Sequence, residues 1–336
     1  MLLFATNAVA TPGTAIVSSW RTNNAHFHPR FSVSSAVEGL GFPAFLPKEV
    51  ENIKDPSARK LASRIQRLPV TVGPSGDCIM SSCVKPLSST QSTPTTSPLV
   101  LLHGFDSSCL EWRYTLPRLE EAGLEAWAVD VLGWGFSDLE KLPPCNVQTK
   151  REHLYQLWKT YIRKPVILVG PSLGAAIAID FAVQYPEAVE KLVLIDASVY
   201  VEGTGSMATL PKAVAYAGVS LLKSVMLRLF VNVLAFEKLP LSTSIDWMNI
   251  GRLHCMYDWW ADATVTFMSS GGYDVACLIP KRLHCELPNA IIRQIPNCGH
   301  IPHVEKPDSV ARLIKEFVQD QEDCSRKEAQ LVSSLQ

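Results

Sequence analysis

Four short apolar runs recur along the chain: Leu99-Val100-Leu101-Leu102, residues 126–129, Val166-Ile167-Leu168-Val169 and Leu192-Val193-Leu194-Ile195. Each is too short for a helix and shows no alternation of apolar and polar positions. That pattern predicts strands buried on both faces, as in a parallel sheet. Residues 112–119, 150–162 and the stretch from Leu173 to Tyr185 carry apolar positions at helical spacing. Strands alternating with helices in this way predict an α/β fold, a mostly parallel, doubly wound sheet with helices on both faces. Ligands of such sheets bind at the carboxyl ends of the strands, where His103-Gly104-Phe105, Ser172 and Asp196 all fall.

Outside the alternation the pattern changes. Residues 51–68 read as a charged helical lead-in, 70–84 as a hairpin, and the Ser/Thr/Pro run at 86–98 as an exposed loop. Residues 199–279 are helical and apolar, an inserted helical cap over the sheet edge. Lys223 and Arg228 interrupt its most apolar part, residues 213–236, which argues against a membrane span and leaves peripheral membrane contact through the cap as an accessory expectation. Residues 291–296 predict an edge-like strand, 297–300 its exit loop and 310–318 a terminal amphipathic helix. The expected division is a leader at 1–37, a first core part at 38–198, the cap at 199–279, a second core part at 280–319 and a polar tail at 320–336.

Composition narrows the partners. A formal net charge of -1, with no basic cluster interleaved with aromatics, excludes nucleic acid as an expected partner. The first acidic residue is Glu38; before it stand Arg21, Arg30 and many Ser, Thr and Ala residues. This is the composition of a plastid transit peptide, which predicts a chloroplast location; a disordered tail would read similarly. A secretory signal fits less well, because Met1-Leu2-Leu3-Phe4 lacks a basic flank. The nine cysteines form no Cys-x-x-Cys pair and no zinc-spaced Cys/His cluster, so no metal is expected and reduced thiols are. The glycine-rich turn at 130–137 lacks the glycine and the distal acid of a dinucleotide fingerprint, and no cofactor is expected.

Gly170-Pro171-Ser172-Leu173-Gly174 carries the candidate chemistry. A serine capping a helix would give a similar pentapeptide. Here an apolar strand precedes it and a helix follows at once, the context of a sharp turn that holds a serine hydroxyl clear of the sheet. Glycines at 170 and 174 leave room for the neighbouring backbone.

Together with His103-Gly104-Phe105, the 130–137 turn, residues 192–196 and Gly299-His300-Ile301-Pro302-His303, this pentapeptide resembles the α/β-hydrolase superfamily, specifically its capped branch that includes plant plastid hydrolases. The likeness covers residues 99–318. It implies Ser172 as nucleophile, His300 as general base, and the amides of Phe105 and Leu173 as the oxyanion hole. Serine rather than aspartate at 172 argues against epoxide-hydrolase chemistry. His303 is a rival base that more naturally packs in its loop, and Cys298 lacks an elbow that would make it a nucleophile. The expected substrate is a small hydrophobic ester or thioester, bound under the cap.

The chain departs from that pattern at the triad acid. Superfamily members place a buried strand between the cap and the histidine strand, with the acid in the turn after it. On the order of 20 residues have no counterpart here, about one strand and a turn. Either residues 264–268 form that strand and Asp274 is the acid, or 264–268 continue the helical cap and the strand is missing; the period running from Trp260 through Val265 to Met268 favours the second. Asp196 is then the substitute acid, or else a strand-end residue binding loop amides. The departure makes a catalytically impaired or ligand-binding protein the alternative to a serine hydrolase.

Overall fold

The structure, a computed structural model, describes residues 2–4, 41–72, 76–87, 97–139, 141–197, 209–238, 240–273 and 291–319. The chain enters through β1 (Leu2–Phe4), a 3-10 turn at Lys48–Asn52 and α1 (Pro56–Ala62), whose first amides at Ser57 and Ala58 bond the Asp55 carboxylate. An antiparallel hairpin, β2 (Gln66–Val72) and β3 (Asp77–Val84), follows. Then strands and helices alternate: β4 (Leu99–Leu102), α2 (Thr115–Glu121), β5 (Ala126–Val129), α3 (Val147–Leu157), β6 (Val166–Pro171), α4 (Leu173–Gln184) and β7 (Val189–Ile195). Between β7 and the last strand the described chain is helical, with α5 (Lys212–Leu222), α6 (Val225–Ala235), α7 (Leu241–Leu253) and α8 (Trp260–Ser269). The chain ends through β8 (Ile291–Ile292), α9 (Pro302–Glu305) and α10, residues 307–319.

Among the described residues one sheet of eight strands, in the order β2-β3-β5-β4-β6-β7-β1-β8, holds the fold together. Among the described strand pairs, β2–β3 and β3–β5 are antiparallel and the rest parallel. The apolar runs are explained by the two faces of this sheet. Val100, Leu102, Val129, Leu168 and Leu194 pack on one side, and Leu99, Leu101, Ala128, Val169 and Val193 on the other. Successive residues of a strand point to opposite faces, so a strand covered on both must be apolar at every position, each side chain contributing about 1.5–3 kcal/mol.

Two segments differ from the sequence expectation. Residues 51–68 are not one helix, because Gln66–Val72 joins the β2–β3 ladder and cross-strand pairing overrides the local pattern. The edge strand expected at 291–296 shortens to Ile291–Ile292. Residues 264–268 lie within α8, so the reading in which they form the acid-bearing strand is corrected: they belong to the helical insertion.

The position that strand would fill is occupied from the other end of the chain. β1 pairs in parallel with β7, Leu2 opposite Val193 and Phe4 opposite Ile195, and with β8, Leu2 opposite Ile291. Without β1 among the described residues, β8 has no ladder partner. Asp274 and the tail beyond 319 lie outside the described residues, as does the leader apart from Leu2–Phe4.

Candidate active site

Loops leave the carboxyl edge of the sheet after the neighbouring strands β4, β6 and β7 and, across β1, after β8. Ser172 stands where β6 turns into α4, with φ 47° and ψ -116°. This conformation costs a non-glycine residue about 1–3 kcal/mol, and it persists only where the surroundings fix it. They do: the Ser172 amide donates to Ile195 O at 3.0 Å, and Ala175 N bonds Ser172 O at 3.1 Å. A Cβ on Gly170 would lie 2.3 Å from Gly174 backbone, and one on Gly174 would lie 2.8 Å from His103 O. Both glycines are therefore steric requirements of the turn, and Leu173 N is the first amide of the helix that follows.

His300 reaches the same edge from far along the chain. Its amide donates to Ala235 O at 2.7 Å, and a Cβ on Gly299 would lie 2.3 Å from that same carbonyl, so the loop rests directly on the end of α6. Gly299 N donates to the Glu305 carboxylate at 2.8 Å, which closes the loop from behind.

The His300 Nδ1 atom pairs with Asp196 Oδ2. Asp196 ends β7 with φ 42°, a second non-glycine residue held in the left-handed region. Its hydrogen bond and charge raise the His300 imidazole above its ordinary value, against the opposing effect of burial. The side chain of His300 is 45% exposed, that of Asp196 16%. With Nδ1 turned to the carboxylate, Nε2 is the nitrogen left to face a hydroxyl or a water. Among the described residues Ser172 Oγ makes no hydrogen bond to His300. Contacts of this kind commonly tighten only when substrate binds.

The remaining sequence candidates fall out as follows. His103 is fully engaged: Nε2 accepts from Val131 N at 3.0 Å, and Nδ1 donates to Gly104 O at 2.7 Å. Burial lowers its pKa, so the neutral tautomer with this donor pattern is favoured. His303 is fully buried, with Nε2 paired with Glu111 Oε1 at 2.8 Å, which places it as a loop-packing residue. Burial, with Glu305 nearby, pushes the Cys298 thiol up to about 12, which disfavours a thiolate nucleophile. Asp274 lies outside the described residues.

Two acidic residues that the sequence pattern did not single out hold the loop after β4. Glu111 Oε2 accepts from Gly104 N at 3.2 Å, so one buried carboxylate joins this loop to His303. Asp106, next to Phe105 and itself at φ 49°, faces the helical insertion. Phe105 lies against Trp134, with ring centroids 5.2 Å apart, and Trp134 against Phe267 of α8 at 5.1 Å. Proximity to His103-Gly104-Phe105 was the available signal for Asp106. Its partners 122, 148 and 154 positions away gave none.

Asp106, His254 and Cys255 offer ligand atoms within 4.8 Å of one another. The Arg228 guanidinium bonds both Asp106 Oδ2 at 2.5 Å and Cys255 Sγ at 3.1 Å, so a side-chain cation already serves this group.

The turn at 130–137 is built by Asp130, whose buried carboxylate accepts from Cys109 N at 2.6 Å, Phe136 N at 3.0 Å and the Ser82 hydroxyl. Gly135 closes on it so tightly that a Cβ would lie 2.0 Å from Asp130 Cγ.

Comparison with known proteins bears on the family of the chain. The alpha/beta hydrolase family profile matches residues 99–313. The alpha/beta hydrolase domain-containing protein VTE7 of Arabidopsis thaliana is 57% identical over 312 residues, covering 86% of this chain and 94% of that protein. Among solved structures, the epoxide hydrolase CorEH superposes with a TM-score of 0.58 at 17% identity, covering 76% of this chain and 99% of that one. An esterase from Thermogutta terrifontis superposes with a TM-score of 0.56 at 18% identity, covering 76% and 98%. At those identities the two structures speak for the fold alone. The profile and the plant relative carry the assignment, and this chain belongs to the alpha/beta hydrolase family.

Proposed function

We propose that the chain is a serine hydrolase that cleaves a hydrophobic ester or thioester through an acyl-enzyme on Ser172. The observation that carries this reading is the pairing of His300 Nδ1 with Asp196 beside a strained serine at the strand-to-helix turn. His300 Nε2 takes the Ser172 proton as Oγ bonds the carbonyl carbon, and the carbonyl π pair moves to oxygen. The Phe105 and Leu173 amides stabilise that oxyanion, each donor worth about 3–4 kcal/mol by mutational precedent. When the oxyanion collapses, the carbon–oxygen or carbon–sulfur bond breaks and His300 returns the proton to the leaving group. A water then gives a proton to His300 as its oxygen bonds the acyl carbon; when this second oxyanion collapses the Ser172 Oγ–acyl bond breaks, and His300 returns the proton to Oγ, releasing the acid and regenerating Ser172. Asp196 holds the imidazole in the tautomer this cycle needs and stabilises the imidazolium.

The aromatic surroundings of Phe105, Trp134 and Phe267, favour a hydrophobic acyl or alcohol portion. A fluorophosphonate probe is expected to label the full chain, with labelling lost in Ser172→Ala. Equal labelling of both would refute the proposal.

A second reading, a catalytically impaired or ligand-binding hydrolase-like protein, is supported by β1 standing where the acid-bearing strand is expected. Turnover of p-nitrophenyl butyrate well above background, abolished in Ser172→Ala, excludes it.

The site works on hydrophobic substrate, and the insertion presents a matching outer face to a lipid surface. Met226 and Val233 are 75% exposed and Leu234 69%, on α6, with exposed Lys212 and Lys238 at the margins. No single helix among the described residues is long and apolar enough to cross a membrane, and α5 and α6 are bent by 69°. Flotation with anionic vesicles, reduced in Met226→Glu with Val233→Glu, is the expected result; unchanged flotation rejects the contact. The acid-poor leader supports a chloroplast address, which import into isolated chloroplasts tests directly.

A further inference from the structure

One carboxylate joins the helical insertion to the loop that carries the Phe105 amide. Asp106 follows Phe105 directly, and it is buried. Three donors reach it, each from a different part of the insertion: Arg228 Nη2 of α6 at 2.5 Å, His254 Nε2 at the end of α7 at 2.8 Å, and Trp260 Nε1 of α8 at 2.8 Å. Within the insertion, Arg228 also bonds Leu222 O at 2.7 Å, and α6 and α7 are joined independently of this acid through Asn232 and Ser244. Burial opposes the charge on Asp106, but the His254 and Arg228 partners outweigh it and hold the carboxyl below its ordinary value. A buried, ionised carboxylate with three charge-matched or polar donors is costly to separate from them.

The consequence lies in the backbone. The peptide between Phe105 and Asp106 is adjacent to the one whose N–H would meet an oxyanion, and Asp106 holds φ 49°, a conformation that needs external support. On the other side of the same loop Glu111 fixes Gly104 N. The loop is thus gripped at Gly104 by the core and at Asp106 by the insertion, with Phe105 between the two grips.

We propose that Asp106 is a positioning residue that couples the seating of the insertion to the orientation of the Phe105 amide, so that the oxyanion hole is complete only while α6, α7 and α8 are docked on this carboxylate. An insertion that lifts to admit a hydrophobic substrate would release the hole, and one that closes over the substrate would re-form it. The inference rests on the assignment of Phe105 N to the oxyanion hole made above.

The test uses the full chain carrying Asp106→Asn, Arg228→Met, Arg228→Lys or Trp260→Phe. A fluorophosphonate serves as a probe whose reaction also passes through an oxyanion, and p-nitrophenyl butyrate as substrate. The expected result for Asp106→Asn and Arg228→Met is a fall of about tenfold or more in both the phosphonylation rate constant and kcat. KM should stay within about threefold and the endpoint of labelling should remain stoichiometric. Arg228→Lys should recover part of the Arg228→Met loss. Deuterium exchange of residues 103–108 should rise together with that of α6 to α8. A merely structural role would lower the melting temperature and the labelled fraction while leaving the rate constant per labelled site unchanged, and that outcome overturns the proposal. So does exchange that rises in the insertion while residues 103–108 stay protected. Should Asp106→Asn fail to fold, Trp260→Phe removes one neutral donor and is read in the same way. Wild-type chain that the probe does not label refutes the serine-hydrolase reading, and the paired exchange measurement then decides the coupling by itself.

Discussion

Replacing Asp196 with asparagine isolates the contribution of the acid from that of the nucleophile. The substitution keeps the shape of the β7 exit and removes the charge next to His300 Nδ1. In enclosed serine-protease sites the equivalent change costs about 10⁴ in kcat, because the imidazole settles into the wrong tautomer. Here the His300 side chain is 45% exposed, so water can solvate the imidazolium in place of part of the lost carboxylate. The expected loss in kcat/KM is therefore about 10²–10³, or about 2.7–4 kcal/mol of transition-state stabilisation. The pH profile supplies a second, independent readout. His300 must be neutral to act as a base, and Asp196 raises its pKa, so the acid limb of wild type lies above the ordinary histidine value of 6.5. In Asp196→Asn that limb moves down. Initial rates with p-nitrophenyl butyrate from about pH 5 to 9, normalised to fluorophosphonate-labelled sites, measure both quantities. An Asp196→Asn protein with undiminished kcat/KM and an unmoved acid limb would show that another group orients His300.

Two glycine substitutions set steric demand against conformational freedom. Gly135→Ala forces a Cβ to within 2.0 Å of Asp130 Cγ at φ 74°, and a loss of about 3 kcal/mol or more in urea unfolding is expected. Gly218→Ala, in α5 with nothing within 4 Å of the added carbon, is expected to stabilise by about 0.5–1 kcal/mol. In the unprocessed chain, deleting residues 2–4 removes the described ladder partner of β8, so exchange protection at Ile291 and Ile292 should fall, as it should when a leader that includes them is cleaved; unchanged protection would show that β8 is held by other means. His254 is buried beside Cys255 and Asp106; burial pulls its pKa down, but these neighbours outweigh it and hold the imidazole at about 9, above the ordinary 6.5. A histidine whose folded pKa is raised stabilises the fold fully below its unfolded pKa, and loses that contribution as pH rises to the folded value. The melting temperature should accordingly fall between about pH 6.5 and 9, and this slope should flatten in His254→Gln.

Several features of the fold and site were legible in the sequence because they are written in local chemistry. Unbroken apolar runs specify strands covered on both faces, and Leu99–Leu102 and Val166–Pro171 stand side by side at the centre of the sheet. Glycines two positions either side of Ser172 mark a turn in which neighbouring backbone comes too close for a Cβ, and the distances at Gly170 and Gly174 bear this out. Helical period at 260–268 identified α8 as part of the insertion, against the reading of a strand.

What the sequence could not decide is which distant groups meet. In the sequence Asp196 reads first as a strand-end residue binding loop amides and only second as an acid, and it is the approach of His300, 104 positions later, that supports the second reading. Nothing in local periodicity brings Leu2–Phe4 between β7 and β8, since three residues carry no register until the flanking strands supply one. Asp106 is the same kind of case, a carboxylate whose significance lies wholly in three donors from α6 to α8. Apolar periodicity and turn chemistry act over a few residues and can be read along the chain. The partner of a buried charge is selected by the way elements pack, and that exists only once the chain has folded.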